Sequence, residues 1–174
     1  MAQANSPTRE KFPLSPKKVI KKTIVSTLAW IIFIFIFGLF LTPVIAVLGR
    51  QAGVLFVPMI LINLVLLAIV IVPTYLYQKW YFDTYFYDLT NDYVVIRKNP
   101  ITPREITIPY ERIQDVYVDQ DLFDRLFGLY DVYISSATVS SGMEAHIDGV
   151  EKPAADGLRA VLLDTVKSRI SKKV

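Results

Sequence analysis

The chain has 174 residues, 53% of them hydrophobic and 20% charged, a balance too apolar for an ordinary soluble domain. Its net charge of +3 hides a division: residues 1–22 carry six cations against one acid, whereas residues 79–174 carry twelve Lys/Arg against fifteen Asp/Glu. The acidic C-terminal part excludes a nucleic-acid reading of the basic pI, and the absence of cysteine excludes disulfides, thiolate metal sites and a cysteine nucleophile.

Residues 1–22 come first. Pro7, Pro13 and Pro16 interrupt a polar stretch with little apolar surface, which predicts a disordered basic cytoplasmic arm. Lys17, Lys18, Lys21 and Lys22 close the arm, where they would hold the cytoplasmic side of a membrane and attract anionic headgroups at roughly 1 kcal/mol per cation.

Thr23 to Leu48 contains no charged side chain and, as a helix, reaches about 39 Å, against a hydrocarbon core of about 30 Å. The run is too long for the apolar region of a signal peptide and no small-residue cleavage site follows it, so residues 23–48 are expected to be a transmembrane helix, kinked or ended near Pro43. Residues 49–53 form an external loop carrying Arg50, and residues 54–77 return as a second transmembrane helix, again without charge. Tyr77, Trp80 and Tyr81 stand where an aromatic belt would meet the membrane interface. Asn63 is the one strongly polar group in mid-span, and an interhelical hydrogen bond is a better reading of it than a permeation path.

After Lys79 the pattern changes to alternation, the mark of half-buried strands. Strands are expected over Tyr85–Leu89, Tyr93–Lys98, Arg104–Tyr110, Ile113–Asp119, Tyr130–Ala137 and Met143–Val150, with a bulge near Asp115 because Ile113 falls out of phase. Between the fourth and fifth lies a short helix, with Asp121 as N-cap and Gly128 as stop, and Ser140-Ser141-Gly142 makes a turn between the last two. Pro153 opens a final amphipathic helix whose positions Leu158, Val161, Leu162 and Val166 keep the 3.6 period.

The strand ending in Tyr87-Asp88-Leu89-Thr90, the run Ile108-Pro109-Tyr110-Glu111-Arg112-Ile113-Gln114-Asp115-Val116, the Leu126-Phe127-Gly128-Leu129 hook and the closing helix resemble the bacterial pleckstrin-homology-like domain of YdbS-type membrane proteins, in which the domain follows a transmembrane hairpin. The resemblance covers about residues 80–171. It implies a strongly bent antiparallel β-sandwich closed by a C-terminal α-helix over residues 79–174, on the cytoplasmic side. It brings no catalytic residue set, and implies membrane-associated binding or scaffolding. The general fold has seven strands, and only six are legible.

Candidate chemistry is sparse. Glu144, His146 and Asp148, spaced by two, share one strand face and could hold a divalent metal, but a solvated polar face explains the same alternation and no metal ligand set is assigned. Ser135, Ser136, Ser140 and Ser141 lack a nucleophile elbow and read as loop serines. No phosphate-binding glycine motif occurs, so no cofactor is expected.

Arg112 could hold an anion, although a structural pair with Asp115 or Glu111 fits its acidic neighbours better. Leu122, Phe123, Leu126 and Phe127 share a helical face that either plugs the sandwich, the preferred reading, or meets lipid or a partner. The chain therefore reads as a non-enzymatic, multi-pass cell-membrane protein with both termini cytoplasmic, whose domain binds a protein partner or a second copy, with the hairpin and basic arm contacting lipid. The alternatives are a lipid-headgroup sensor and, more weakly, a metal-dependent enzyme.

Overall fold

The computed structural model describes residues 6–48, 52–136 and 145–171. The loop residues 49–51, the Ser140-Ser141-Gly142 turn and Glu144 lie outside the described residues. The chain divides into two compact units, one of Met1–Lys21 with Trp80–Val174 and one of Lys22–Lys79.

The first unit is built on two three-stranded antiparallel sheets. In one, β1 (Phe86–Leu89), β2 (Tyr93–Lys98) and β3 (Arg104–Pro109) lie in sequence order; in the other, β4 (Ile113–Asp119), β5 (Leu129–Ser136) and β6 (His146–Glu151) do the same. A 3-10 turn, Tyr110–Arg112, joins the sheets. The expected bulge is present, as the β4–β5 register slips between Ile113 and Asp115. Ser135 and Ser136 belong to β5, as the strand expected over Tyr130–Ala137 has it and not as loop serines.

The alternation of the sequence decides the core. Tyr87, Val94, Ile96 and Ile108 point inward from one sheet, and Val116, Val132, Ile134 and Ile147 from the other. Leu158 and Leu162 of the C-terminal helix (Lys152–Ser171) complete it, all nearly inaccessible to solvent. Three tyrosines sit in this core, so their hydroxyls need acceptors. Tyr85 donates to His146 O at 2.8 Å, Tyr110 to Thr90 O at 2.9 Å, and Tyr87 to Phe12 O. Burial pushes the Tyr110 phenol up to about 12 and those of Tyr85 and Tyr87 well above their usual value.

The segment expected to be a disordered arm is folded from Ser6 onward. Ser6 caps α1 (Pro7–Lys11), its hydroxyl accepting the Arg9 N–H at 3.0 Å, and Pro7 occupies the first helical position, where its missing N–H costs nothing. Leu14 then forms an isolated antiparallel bridge to Val150, and Leu14 is itself core. This bridge lies at the β6 edge of the second sheet, where a further strand would pair; six strands are present among the described residues.

Between β4 and β5, α4 (Leu122–Phe127) carries a reciprocal cap. Asp121 Oδ1 accepts the Asp124 N–H at 2.6 Å, and Asp124 Oδ2 accepts the Asp121 N–H at 3.4 Å.

The second unit, Lys22–Lys79, is formed by the long helices α2 (Lys17–Leu48) and α3 (Ala52–Thr84), whose Lys17–Lys21 and Trp80–Thr84 ends count with the first unit; Lys17–Phe40 and Val57–Thr84 are long and apolar enough to cross a membrane. α2 begins six residues before the expected Thr23 and continues through Pro43; α3 runs seven residues beyond Tyr77. The helices meet closely at Gly38, where an added Cβ would stand 3.3 Å from Asn63 Oδ1. The Asn63 amide donates to Met59 O, one turn back in its own helix, at 2.9 Å.

Gly128 ends α4 in the left-handed region, at φ 67°, with open space around its Cα. Gly128→Ala is therefore expected to cost about 1 kcal/mol through backbone strain alone, measurable as a lowered midpoint in thermal unfolding, with no change in helical content.

Candidate functional site

Two features of the first unit carry its unusual chemistry: a charged clasp that holds the N-terminal segment on the sheets, and an exposed apolar pair on α4. The clasp starts on β1. Ser6 Oγ donates to Tyr87 O at 2.6 Å, and Thr8 Oγ1 accepts the Leu89 N–H at 3.0 Å. Arg9 donates to Tyr85 O at 2.6 Å and to Phe82 O at 3.3 Å. The chain then crosses to β6, where Ser15 N–H donates to Gly149 O at 2.9 Å.

Lys18 follows, 1% exposed. Its ammonium donates to Asp148 O at 2.8 Å, lies 3.4 Å from Asp148 Oδ2, and sits 4.1 Å from the centroid of the Tyr85 ring. A buried ammonium is tolerated only with such compensation, because desolvating a charge costs several kcal/mol. One turn on, Lys21 is 5% exposed and reaches the two capping carboxylates of α4, Asp124 at 2.6 Å and Asp121 at 2.9 Å. The acids that start α4 thus also hold the clasp. Lys17, more exposed, pairs with Glu151 at 3.2 Å.

Two glycines make room for the segment. Gly149, at φ 78°, would place a Cβ 2.6 Å from the Lys18 side chain, and Gly157 would place one 2.3 Å from the Phe12 ring. Acids surround the clasp. Asp131 on β5 accepts the Gly149 N–H at 2.8 Å, and burial, then the neighbouring Asp148 charge, push its carboxyl up to about 7. Burial also raises Asp124, against the pull of Lys21.

This geometry corrects several expectations. Lys18 and Lys21 are not interfacial cations, since the fold itself consumes their charge, and Lys22 is half-buried. Of the expected aromatic belt, Tyr77 and Trp80 are 39% and 49% exposed, but Tyr81 packs against the core, with the Lys18 ammonium 5.8 Å from its ring centroid.

Leu122, Phe123, Leu126 and Phe127 do not plug the sandwich as a unit. The phenylalanines are half-buried, while Leu122 and Leu126 are 72% and 75% exposed, because Asp124 takes the inward position to meet Lys21. Arg112 is exposed on the 3-10 turn and forms no ion pair with Asp115 or Glu111 among the described residues; Asp115 Oδ1 instead accepts the Val116 N–H at 2.8 Å.

Of the expected solvated face, Glu144 lies outside the described residues, and His146 and Asp148 are not exposed. Asp148 is buried beside Lys18, and His146 stacks on Tyr133 at 5.0 Å, its Nδ1 3.3 Å from Lys98 Nζ. No cluster of three or more metal-ligating side chains forms among the described residues.

The sequence did hold local signals of the clasp that were not read: Ser6-Pro7 as a helix start, and Lys18 and Lys21 spaced for one helical face. A family model described as Bacterial PH domain matches residues 23–166, a range that takes in both long helices and the sheets. Comparison with curated proteins and with solved structures returns no match.

Two measurements test the clasp. Gly157→Ala is expected to displace Phe12 and speed tryptic cleavage at Arg9 and Lys11 severalfold, leaving the rest of the unit resistant. Asp131 makes its own pH signature. Its carboxyl ionises near 4 in the unfolded chain but near 7 in the folded one, so its contribution to stability is fully present below about pH 4 and is lost as pH rises through about 7. Asp131→Asn keeps an acceptor for Gly149 and should stabilise the protein at pH 8 by on the order of 2 kcal/mol, and hardly at pH 4, in thermal melts of the detergent-solubilised chain.

Proposed function

The chain belongs to the bacterial PH domain family, and we propose that it is a non-enzymatic, membrane-anchored protein-interaction module. Members of such a family serve protein or lipid interaction, and the order of hairpin followed by domain is that of the YdbS-type proteins it resembles. In this reading the two apolar helices anchor the chain in the cell membrane, with both termini and the domain on the cytoplasmic side and the Arg50 loop outside. No Asp, Glu, Lys, Arg or His occurs between Thr23 and Leu48 or between Val54 and Tyr77, which favours an anchor over a transport path.

The observation that carries the choice of a protein partner is the exposure of Leu122 and Leu126 on a doubly capped helix flanked by acids. Two large apolar side chains held out by a rigid element are a docking feature. Asp119 and Asp121 beside them are exposed carboxylates that disfavour an anionic membrane surface. Lys18 and Lys21, two of the four lysines expected to attract headgroups, are committed to Asp148, Asp121 and Asp124.

A photocrosslinking residue at Leu126 of the full-length chain, expressed in cells, tests this. A discrete protein adduct is expected, and Leu122→Glu should reduce its yield at least about tenfold by placing a charge in the contact. Adducts to lipid alone, or salt-sensitive flotation of the purified chain with anionic vesicles that survives Leu122→Glu, would replace the protein module by a headgroup sensor. The full chain is required, because a fragment beginning at Lys79 lacks the clasp.

A further inference from the structure

Among the described residues, four strand edges bound the two sheets, and two are occupied. The β1 edge is met by Ser6 and Thr8, and the β6 edge by Leu14, Ser15 and Lys18. β3 is blunted at its end alone, by Pro109, which has no N–H to offer, and it carries no aromatic row like that of β4. Among the described residues β4 pairs with β5 alone, and the C-terminal helix touches the 3-10 turn, β4, β5 and β6, so it lies across this sheet rather than along its edge.

The ladder shows which groups of β4 face outward. Ile134, the partner of Val116, sends its N–H to Ala145 O at 2.9 Å, away from β4. In an antiparallel ladder the backbone groups of Val116, and of Val118 two residues on, then also point away from β5, toward the open edge. Among the described residues the Val116 N–H is met there by the side chain of Asp115, whose Oδ1 accepts it at 2.8 Å.

On the outward face of the same strand, Tyr117 is 44% exposed between the exposed Asp115 and Asp119. Tyr133 stacks on one side of its ring at 5.0 Å and 4°, and His146 continues the stack at 5.0 Å. The row of rings therefore ends at the edge, with the outer face of Tyr117 uncovered and a carboxylate two residues away on each side.

We infer that β4 is a template for an added strand, and that its occupant is an extended segment of another protein carrying Lys or Arg at alternate positions. A strand paired through Val116 and Val118 sets one residue directly opposite Tyr117, in the closely spaced, non-hydrogen-bonded kind of pair. A cation there lies over the ring and between Asp115 and Asp119, gaining a cation–π contact and two charge contacts. Charge also argues against a second copy: antiparallel self-pairing about Tyr117 sets Asp115 opposite Asp119 twice over, like charges in direct cross-strand contact. The inference rests on the protein-interaction reading and names the surface and chemistry of the partner.

The test uses the full-length chain in detergent micelles and a fluorescent peptide of alternating Lys and Val, with a Glu-Val peptide as control. Anisotropy should show salt-sensitive binding of the lysine peptide only, weakened at least about tenfold by Asp115→Lys with Asp119→Lys and severalfold by Tyr117→Ala. All three positions are exposed or half-exposed, so the variants should fold. Amide exchange should slow at Val116 and Val118 when the peptide binds. Absence of binding at about 1 mM peptide, equal binding by the reversed-charge variant, or protection confined to other strands overturns the proposal. So does protection of Val116 that rises with protein concentration alone, which would make a second copy the occupant. Protein adducts at Leu126 that persist when β4 is altered would leave the interaction module standing while the strand site falls.

Discussion

The buried ammonium of Lys18 is the contact on which the first unit is assembled. It has 1% exposure, and its charge is acceptable there only because Asp148 supplies both a carbonyl and a carboxylate and Tyr85 supplies a ring face. Those requirements propagate. Gly149 must lack a side chain to admit the lysine stem, and the same turn of backbone offers its N–H to Asp131 and its carbonyl to Ser15. Lys21, one helical turn later, extends the arrangement to α4, whose capping acids become its partners.

Because the N-terminal segment runs along β1 and then β6, it satisfies edge groups of both sheets that would otherwise invite pairing with other chains. The unit therefore handles its edges unequally: two are covered from within the chain, β3 is blunted at its end by proline, and β4 keeps outward backbone groups beside an aromatic and acidic face. The same economy governs charge. Lys18 and Lys21 at the start of the first long helix are spent inside the fold, while Asp115, Asp119 and Asp121 stand exposed near α4 and β4 beside the apolar Leu122 and Leu126. This combination favours a protein partner over an anionic bilayer.

Much of the architecture could be read directly. The strands of Tyr93–Lys98 and Ile113–Asp119 were legible to the residue from period-two alternation, and the bulge near Asp115 from the phase of Ile113. Asp121 and Gly128 marked α4 because capping chemistry is local. The apolar face of the C-terminal helix likewise announced Leu158 and Leu162 as core. What failed was the assignment of environment. Polar, proline-broken residues 6–16 looked disordered because their partners, such as Tyr87 and Val150, lie far along the chain. Leu122 and Leu126 looked buried because hydrophobicity was counted without knowing that Asp124 had claimed the inward position.

The sequence by itself determined which segments are helices long and apolar enough to span a bilayer, which alternate as strands, and which residues start and stop the short helix. These depend on neighbours within a few positions. The tertiary structure alone decided what the lysines do. Lys18 meets a group 130 residues away, and no local pattern distinguishes a cation that serves a membrane surface from one that closes a protein core. Burial, not residue type, sets that difference, because the same charge that is cheap in water must be matched group by group once water is removed.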